Sequence, residues 1–340
     1  MGKKQVPVQK IGPGEIAAVA KLKDTRTGDT LTDVGNPVRF ESMQFSNPMI
    51  SYAIAPKSRG DEEKVSTGFQ KMVEEDPTLQ FSRDPETKEM ILSGMGQLHL
   101  EVTLEKLKRK FGVEVLMKTP KIPYRETIKK SATAQGKYKK QSGGRGQYGD
   151  CWIEIKPLPK GENFQFVNKI VGGVIPRQYI PAIEKGIVET MKGGVIAGYP
   201  MVDLQATVYD GSYHSVDSSE MAFKIAGSLA IKKAVQDAAP VLLEPIMKAD
   251  VITPDEFLGN VIGDLNSKRG KVQGVEPQSG NNQNISTLVP MAEMLTYANQ
   301  LNSLTSGRGM YSMEFSHYEE VPSHLAQKIV DERAKEKEEG

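Results

Sequence analysis

His214 lies between Asp210 and Asp217, with Ser212 and Ser215 two and one residues from it, so hydroxyl, imidazole and carboxylate are all present in one short stretch. A nucleophilic triad needs these types in a set geometry, and neighbours in one polar loop rarely reach it, so this reading is set aside. His99 in GMGQLHLE is expected to be a helix residue with a structural hydrogen bond, and His317 and His324 surface or packing residues. Cys151, beside Trp152, has no activating base in its context and is expected to pack in a strand. A single cysteine excludes an internal disulfide, and no HExxH or Cys/His cluster offers a metal site. The phosphate-cradling pattern GxxxxGK[ST] does not occur: SKRGKV around Gly270 lacks the spacing and the hydroxyl. NKIV at Asn168 ends on Val171 where a guanine-reading carboxylate would stand. No GTPase site, catalytic residue, metal or cofactor is therefore expected in this chain.

The residues that remain suit contact with a large polyanion. Lys137 to Asp150, KYKKQSGGRGQYGD, interleaves Gly143, Gly144, Gly146 and Gly149 with Arg145, Gln147 and Tyr148. Lys137, Lys139 and Lys140 open this stretch and can pair with phosphates, while glycines permit close backbone approach. A solvated hairpin is the simpler reading of the same composition. Tyr209 to Ala230, YDGSYHSVDSSEMAFKIAGSLA, is the second such stretch. Asp210–Gly211 predicts a turn, Tyr213 and His214 sit in a polar loop, and Asp217 or Ser218 is expected to cap a helix buried through Met221, Ile225, Ala226 and Leu229. With a net charge of +1, any nucleic-acid contact must come from such local patches. The basic run from Lys129 through Lys130 to Arg145 is one.

The elements around these loops fall into blocks. At 340 residues, with 38% hydrophobic and 26% charged residues, the chain has room for two to four domains, each with its own core. From Met49 to Lys118 the pattern is strand (MISYAIAP), helix Asp61–Glu75, a hairpin through DPETKE, helix Gln97–Phe111 and strand (VEVLMK), a ferredoxin-like β-α-β-β-α-β order. The order recurs from PIMKADVIT through helices Asp255–Lys268 and Met291–Leu304 to MYSMEFSHYE. Between them, about Ile128 to Pro240, strands DCWIEIKPL and MVDLQATVY mix with helices Pro176–Met191 and Ser218–Ala238. IAAVAKL and TRTGDTL near the start suggest two strands with no return partner. No apolar run approaches the roughly 20 residues that cross a bilayer, so a cytoplasmic location is expected.

QSGGRGQYGD, FVNKIVGGVIPRQYIPAIEKG and YDGSYHSVDSSEMAFKIAGS resemble the fourth domain of elongation factor G. GDTLTD, ILSGMGQLHLE, LLEPIMK, NVIGDLNSKRG and SLTSGRGMYSMEFSHYEEVP extend the resemblance in the family's order from Gly14 to about Asp331. It implies an α+β multidomain chain: residues 1–42 as the end of a β-barrel second domain whose earlier strands are missing, 43–120 as a ferredoxin-like third domain, 121–242 with 322–335 as a fourth domain like ribosomal protein S5 domain 2, and 243–321 as a ferredoxin-like fifth domain.

The resemblance also implies a role. The fourth domain would mimic tRNA as a mechanical arm at the small-subunit decoding site, promoting tRNA–mRNA translocation, its tip formed by Gly143 to Tyr148 and Asp210 to His214. His214 matches the position modified to diphthamide in eukaryotic and archaeal counterparts. The fifth domain would meet the large subunit near its stalk base and the sarcin–ricin loop. Ser58, Arg59 and Lys64 are candidates for relaying the state of a GTPase domain. GTP and magnesium would belong to that domain, absent here, and the chain would act as a monomer. QLNSLT with Asn302, where the family commonly has an arginine, ISTLVP in the preceding strand, and KYKK before the glycine loop depart from the usual pattern. They keep open a specialised paralogue acting in ribosome recycling; a free-standing RNA-binding module is a third reading.

Overall fold

A computed structural model of the chain describes residues 6–45, 47–58, 60–141 and 146–339, with side chains described to 335. The first block folds as β1 (Ile50–Pro56), α1 (Glu62–Glu75), β2 (Gln80–Arg83), β3 (Met90–Gly94), α2 (Gln97–Phe111) and β4 (Val115–Lys118). Its strands lie in the order β2-β3-β1-β4, every pair antiparallel. The helical spacing of Val65, Phe69 and Met72 on α1 and of Leu100 and Leu107 on α2 turns one stripe of each helix onto Ile50, Ile54 and Leu92, all buried. Gly112 ends α2 in the left-handed conformation, with φ 67°, and its N–H returns to the Lys108 carbonyl. His99 makes the structural contact expected of it: Nδ1 accepts the Met95 N–H at 3.2 Å, and Nε2 meets the Asp76 carboxylate at 3.0 Å.

The central block opens with β5 (Arg125–Ile128), then β6 (Ala132–Lys140), β7 (Gln147–Pro157), β8 (Phe164–Asn168), α3 (Ile180–Gly193), β9 (Leu204–Ser212) and α4 (Glu220–Asp237). Its sheet runs β6-β7-β9-β8, with β8 parallel to β9 and the other pairs antiparallel. The last block is β10 (Pro240–Pro254), α5 (Leu258–Ser267), β11 (Lys271–Gln278), β12 (Asn282–Pro290), α6 (Met291–Met294), α7 (Tyr297–Leu304) and β13 (Met310–Glu320), in the order β11-β12-β10-β13. The helix expected over Met291–Leu304 is interrupted between α6 and α7, and Met294, Tyr297 and Leu301 are all buried. A 3-10 turn over Asp255–Phe257 leads into α5.

Two features join the blocks. The long strand β10 pairs at its start with β5 and further on with β12 and β13, so the segments entering and leaving the central block form one ladder with the last sheet. The carboxylate of Glu126, wholly buried on β5, accepts the N–H groups of Val195, Ile196, Ala197, Gly198 and Tyr199 at 2.6–3.1 Å. Five donors on one carboxylate replace the water it loses and pin the loop after α3 to the ladder. The final helix α8 (Ser323–Glu339) packs Leu325, Ala326, Ile329 and Val330 against Tyr124, Ala197 and Leu242.

Three expectations need correction. No strand forms among residues 6–45, where only the isolated bridge Asp33–Asn36 occurs and Ile16 and Val34 are fully exposed. The pattern there asks for a ladder partner that the described chain does not supply. Asp210–Gly211 is not a turn: β9 continues through it, opposite Trp152 and Cys151, with a bulge that leaves Tyr209 between pairs. Third, α4 is capped by Ser219, whose Oγ accepts the Ala222 N–H, and it buries Ala222, Phe223, Ala226, Gly227, Ala230 and Ile231, whereas Met221 is exposed.

The small residues face inward because the sheet comes unusually close. A Cβ on Gly136 would lie 1.9 Å from the Ala226 carbonyl oxygen, and one on Gly149 2.5 Å from the Ala222 backbone. Backbone meets backbone there, which leaves no room for Met or Leu.

Candidate nucleic-acid interface

The strands β6 and β7 pair antiparallel, from Ala132 opposite Ile155 to Lys140 opposite Gln147. The predicted tip residues Gly143, Gly144 and Arg145 lie outside the described residues, as does Arg59. Lys137, Lys139 and Lys140 stand at the end of β6, opposite Asp150, Tyr148 and Gln147, and all three are exposed. The Lys137 ammonium lies 5.7 Å from the centre of the Tyr148 ring.

The second predicted loop, residues 213–219 between β9 and α4, is brought against the start of β7. The Tyr148 N–H donates to the Asp217 carbonyl at 2.8 Å, and the Ser218 hydroxyl donates to the Tyr148 carbonyl at 3.0 Å. Gly146 is packed against the Asp217 carboxylate, which a Cβ would approach to 2.8 Å. Tyr148 and His214 end with ring centres 6.4 Å apart, tilted by 56°. Tyr213 is half-exposed in the same loop.

The His214 ring is held by its own loop. Its Nδ1 meets the N–H groups of Val216 and Asp217 at 3.3 and 3.2 Å and the Asp217 carboxylate at 3.4 Å, so the ring is fixed through this one nitrogen. The triad arrangement does not form. Ser212 Oγ donates instead to Asp150 Oδ2 at 2.7 Å and, its own proton committed, accepts from the Tyr148 hydroxyl at 2.7 Å. Asp150 also accepts from Gln135 Nε2 at 2.8 Å and is only 5% exposed. This buried carboxylate fixes the Tyr148 ring and the end of β9 together, and sequence reading missed it: only the final Asp of QYGD hinted at it. Asp210 stands apart from the tip, opposite Trp152, its carboxylate taken by the Gly211 N–H at 2.7 Å.

The remaining candidates take structural or surface positions. Cys151 is fully buried, and burial, helped by the nearby Asp150 charge, pushes its thiol up to about 12. His317 meets Glu319 at 3.1 Å, His324, Ser58 and Asn302 are exposed, and Lys64 pairs with Asp61 at 2.9 Å. Among the described residues no group of three or more His, Cys, Asp or Glu is placed to hold a metal ion, and no helix is long and apolar enough to cross a membrane. Among the described residues the arrangement presents lysines, two aromatic rings and an imidazole at one end of the central sheet. That chemistry is suited to phosphates and unstacked bases.

Family models agree with a translation-factor architecture. Residues 45–119 match elongation factor G domain III, 120–239 match domain IV, and 241–329 match the elongation factor G C-terminus. The chain belongs to the elongation factor G family and carries these three domains in the family's order. A solved structure of a protein from Thermus thermophilus is similar at 50% sequence identity and a TM-score of 0.73. The match covers 86% of this chain and 44% of that one, so the chain spans under half the length of this relative.

Proposed function

We propose that this chain is the ribosome-engaging arm of an elongation factor G, promoting movement of tRNA and mRNA while a GTPase domain elsewhere supplies GTP hydrolysis. The observation that carries the proposal is the joined tip: Lys137, Lys139, Lys140, Tyr148 and His214 are gathered by Ser218 and Asp150 at one end of the central sheet. A rigid projection of this kind acts by occupying the space a tRNA leaves at the small-subunit decoding site, so that backward movement is blocked. No bond is made or broken by its residues. Strand orders β2-β3-β1-β4 and β11-β12-β10-β13 support a ferredoxin-like reading of the flanking units, and the four-stranded sheet under α3 and α4 supports an S5 domain 2-like reading of the arm. The flanking units would dock on the large subunit and relay the GTPase state, and GTP with magnesium would be bound outside these residues.

The test joins this chain to the family's GTPase portion and follows mRNA movement on pre-translocation ribosomes. His214→Ala is expected to slow movement while GTP hydrolysis continues. Equal loss of both would sink this division of labour. Stimulated hydrolysis with no movement by the unaltered protein would favour the recycling paralogue, and Asn302 would then be the first departure to reverse.

A further inference from the structure

Side chains of a strand alternate between faces, and α3 and α4 pack on one face of the central sheet; on the other face Asp150, Gln205 and Thr207 are buried, and the exposed positions lie towards β6 and the end of β9. Ala134, Cys151, Ile153, Ala206 and Val208 face the core under α3 and α4. The opposite face carries Thr133, Lys137 and Lys139 from β6, Trp152 and Glu154 from β7, and Asp210 from β9, and Thr133, Lys137, Lys139 and Asp210 are exposed. Trp152 is the only tryptophan of the chain, and it stands partly exposed in the middle of this face, flanked across the ladder by Gln135 and Asp210. The bulge beside it brings out Tyr209, 37% exposed.

We propose that this open face is a binding surface for a single-stranded RNA segment, with a base stacked on Trp152 and phosphates along the lysines of β6. The lysines line one edge, and the acceptors lie on the other side of the indole. Tyr148 and Trp152 are four residues apart on one face of β7, a rise of about 13 Å that leaves room for more than one nucleotide. Asp150, between them, is occupied by Gln135 and Ser212 and does not face the ligand as a bare charge. Asp210 and Glu154 beside the indole would repel phosphate, which places the backbone on the lysine edge. The same carboxylates accept from an exocyclic amine, so cytosine is favoured over uracil at this position. The surface adjoins the loop tip, with which it shares Lys137, Lys139 and Tyr148, but it is centred on Trp152 and does not rest on ribosome engagement.

The experiment titrates the purified chain with eight-nucleotide oligo(C) and oligo(U) at low salt and reads Trp152 fluorescence. Oligo(C) is expected to quench saturably and to bind more tightly than oligo(U), and both affinities should fall with salt. Trp152→Leu should weaken binding of end-labelled oligo(C), measured by anisotropy, about tenfold. Asp210→Lys, at an exposed position, should reduce the preference for cytosine, with folding checked by circular dichroism. Absence of quenching up to millimolar oligonucleotide would overturn the proposal, as would unchanged oligo(C) affinity in folded Trp152→Leu or an unchanged preference in Asp210→Lys. None of these failures touches the translocation reading, whose own test is movement on the ribosome.

Discussion

The hydroxyl of Ser218 donates to the carbonyl of Tyr148 at 3.0 Å while accepting the N–H of His214 at 2.9 Å. One side chain, 8% exposed, therefore ties two loops that are about 70 residues apart in sequence. Ser218→Ala leaves a partly buried carbonyl and a loop N–H without this partner. The expected cost is about 1–3 kcal/mol in urea unfolding, together with weaker action of the tip. A change in stability below about 0.5 kcal/mol, the range of an ordinary surface substitution, would show that the loops are held by other contacts.

Glu126→Gln tests the anchor of the arm. Glutamine keeps the shape but turns one acceptor oxygen into an NH2 group facing backbone donors that now serve Oε1 and Oε2. Charge-assisted bonds are lost and buried N–H groups face each other, at a cost of about 3 kcal/mol or more. Hydrogen exchange of the 195–199 amides should rise at the same time. Protection unchanged in a stable variant would contradict the anchoring role.

Cys151 should be inert while the chain is folded. Its thiol is fully buried and is pushed up to about 12, so almost no thiolate exists near neutral pH. A thiol-reactive dye at mildly alkaline pH should label it only after denaturant is added. Rapid stoichiometric labelling of the native chain would show that β7 opens readily.

Acid should act early on the first block. Glu114 follows α2, and the Lys108 and Lys57 ammonium groups beside it lower its carboxyl to about 2. A carboxyl lowered on folding contributes stability that is complete above its ordinary value of 4.5 and fades as pH falls towards 2. Thermal melts of the parent and Glu114→Gln should thus differ near neutral pH and converge in acid. The pair is exposed, so added salt should shrink the difference at neutral pH too. A gap that widens on acidification would have the wrong sign.

Pattern makes the flanking units legible. Val65, Phe69 and Met72, and again Leu100 and Leu107, announce their helices because each stripe covers a sheet face. The central block is harder. Hydrophobic periodicity picks Met221, Ile225, Ala226 and Leu229 of α4 as its buried face, yet Met221 is exposed and the sheet packs on Ala222, Ala226 and Ala230 through Gly136 and Gly149. Close backbone contact is specified by what side chains lack, and periodicity is blind to that. Asp210–Gly211 misleads for a related reason: glycine there serves a tight approach of Ile175 within a strand, not a turn. The pairing of the two tip loops is visible as chemistry, while Ser218, Asp150 and Glu126, which hold the site in place, act across long sequence separations that no local pattern records.

In the proposed function the joined tip enters the small-subunit decoding site. The direct measurement is hydroxyl-radical probing from iron tethered at Gln147→Cys, in a Cys151→Ser background, with the chain joined to the GTPase portion and bound to ribosomes. Cleavage of small-subunit RNA around the decoding site is the predicted result. Strong ribosome binding with no cleavage there would place the tip elsewhere.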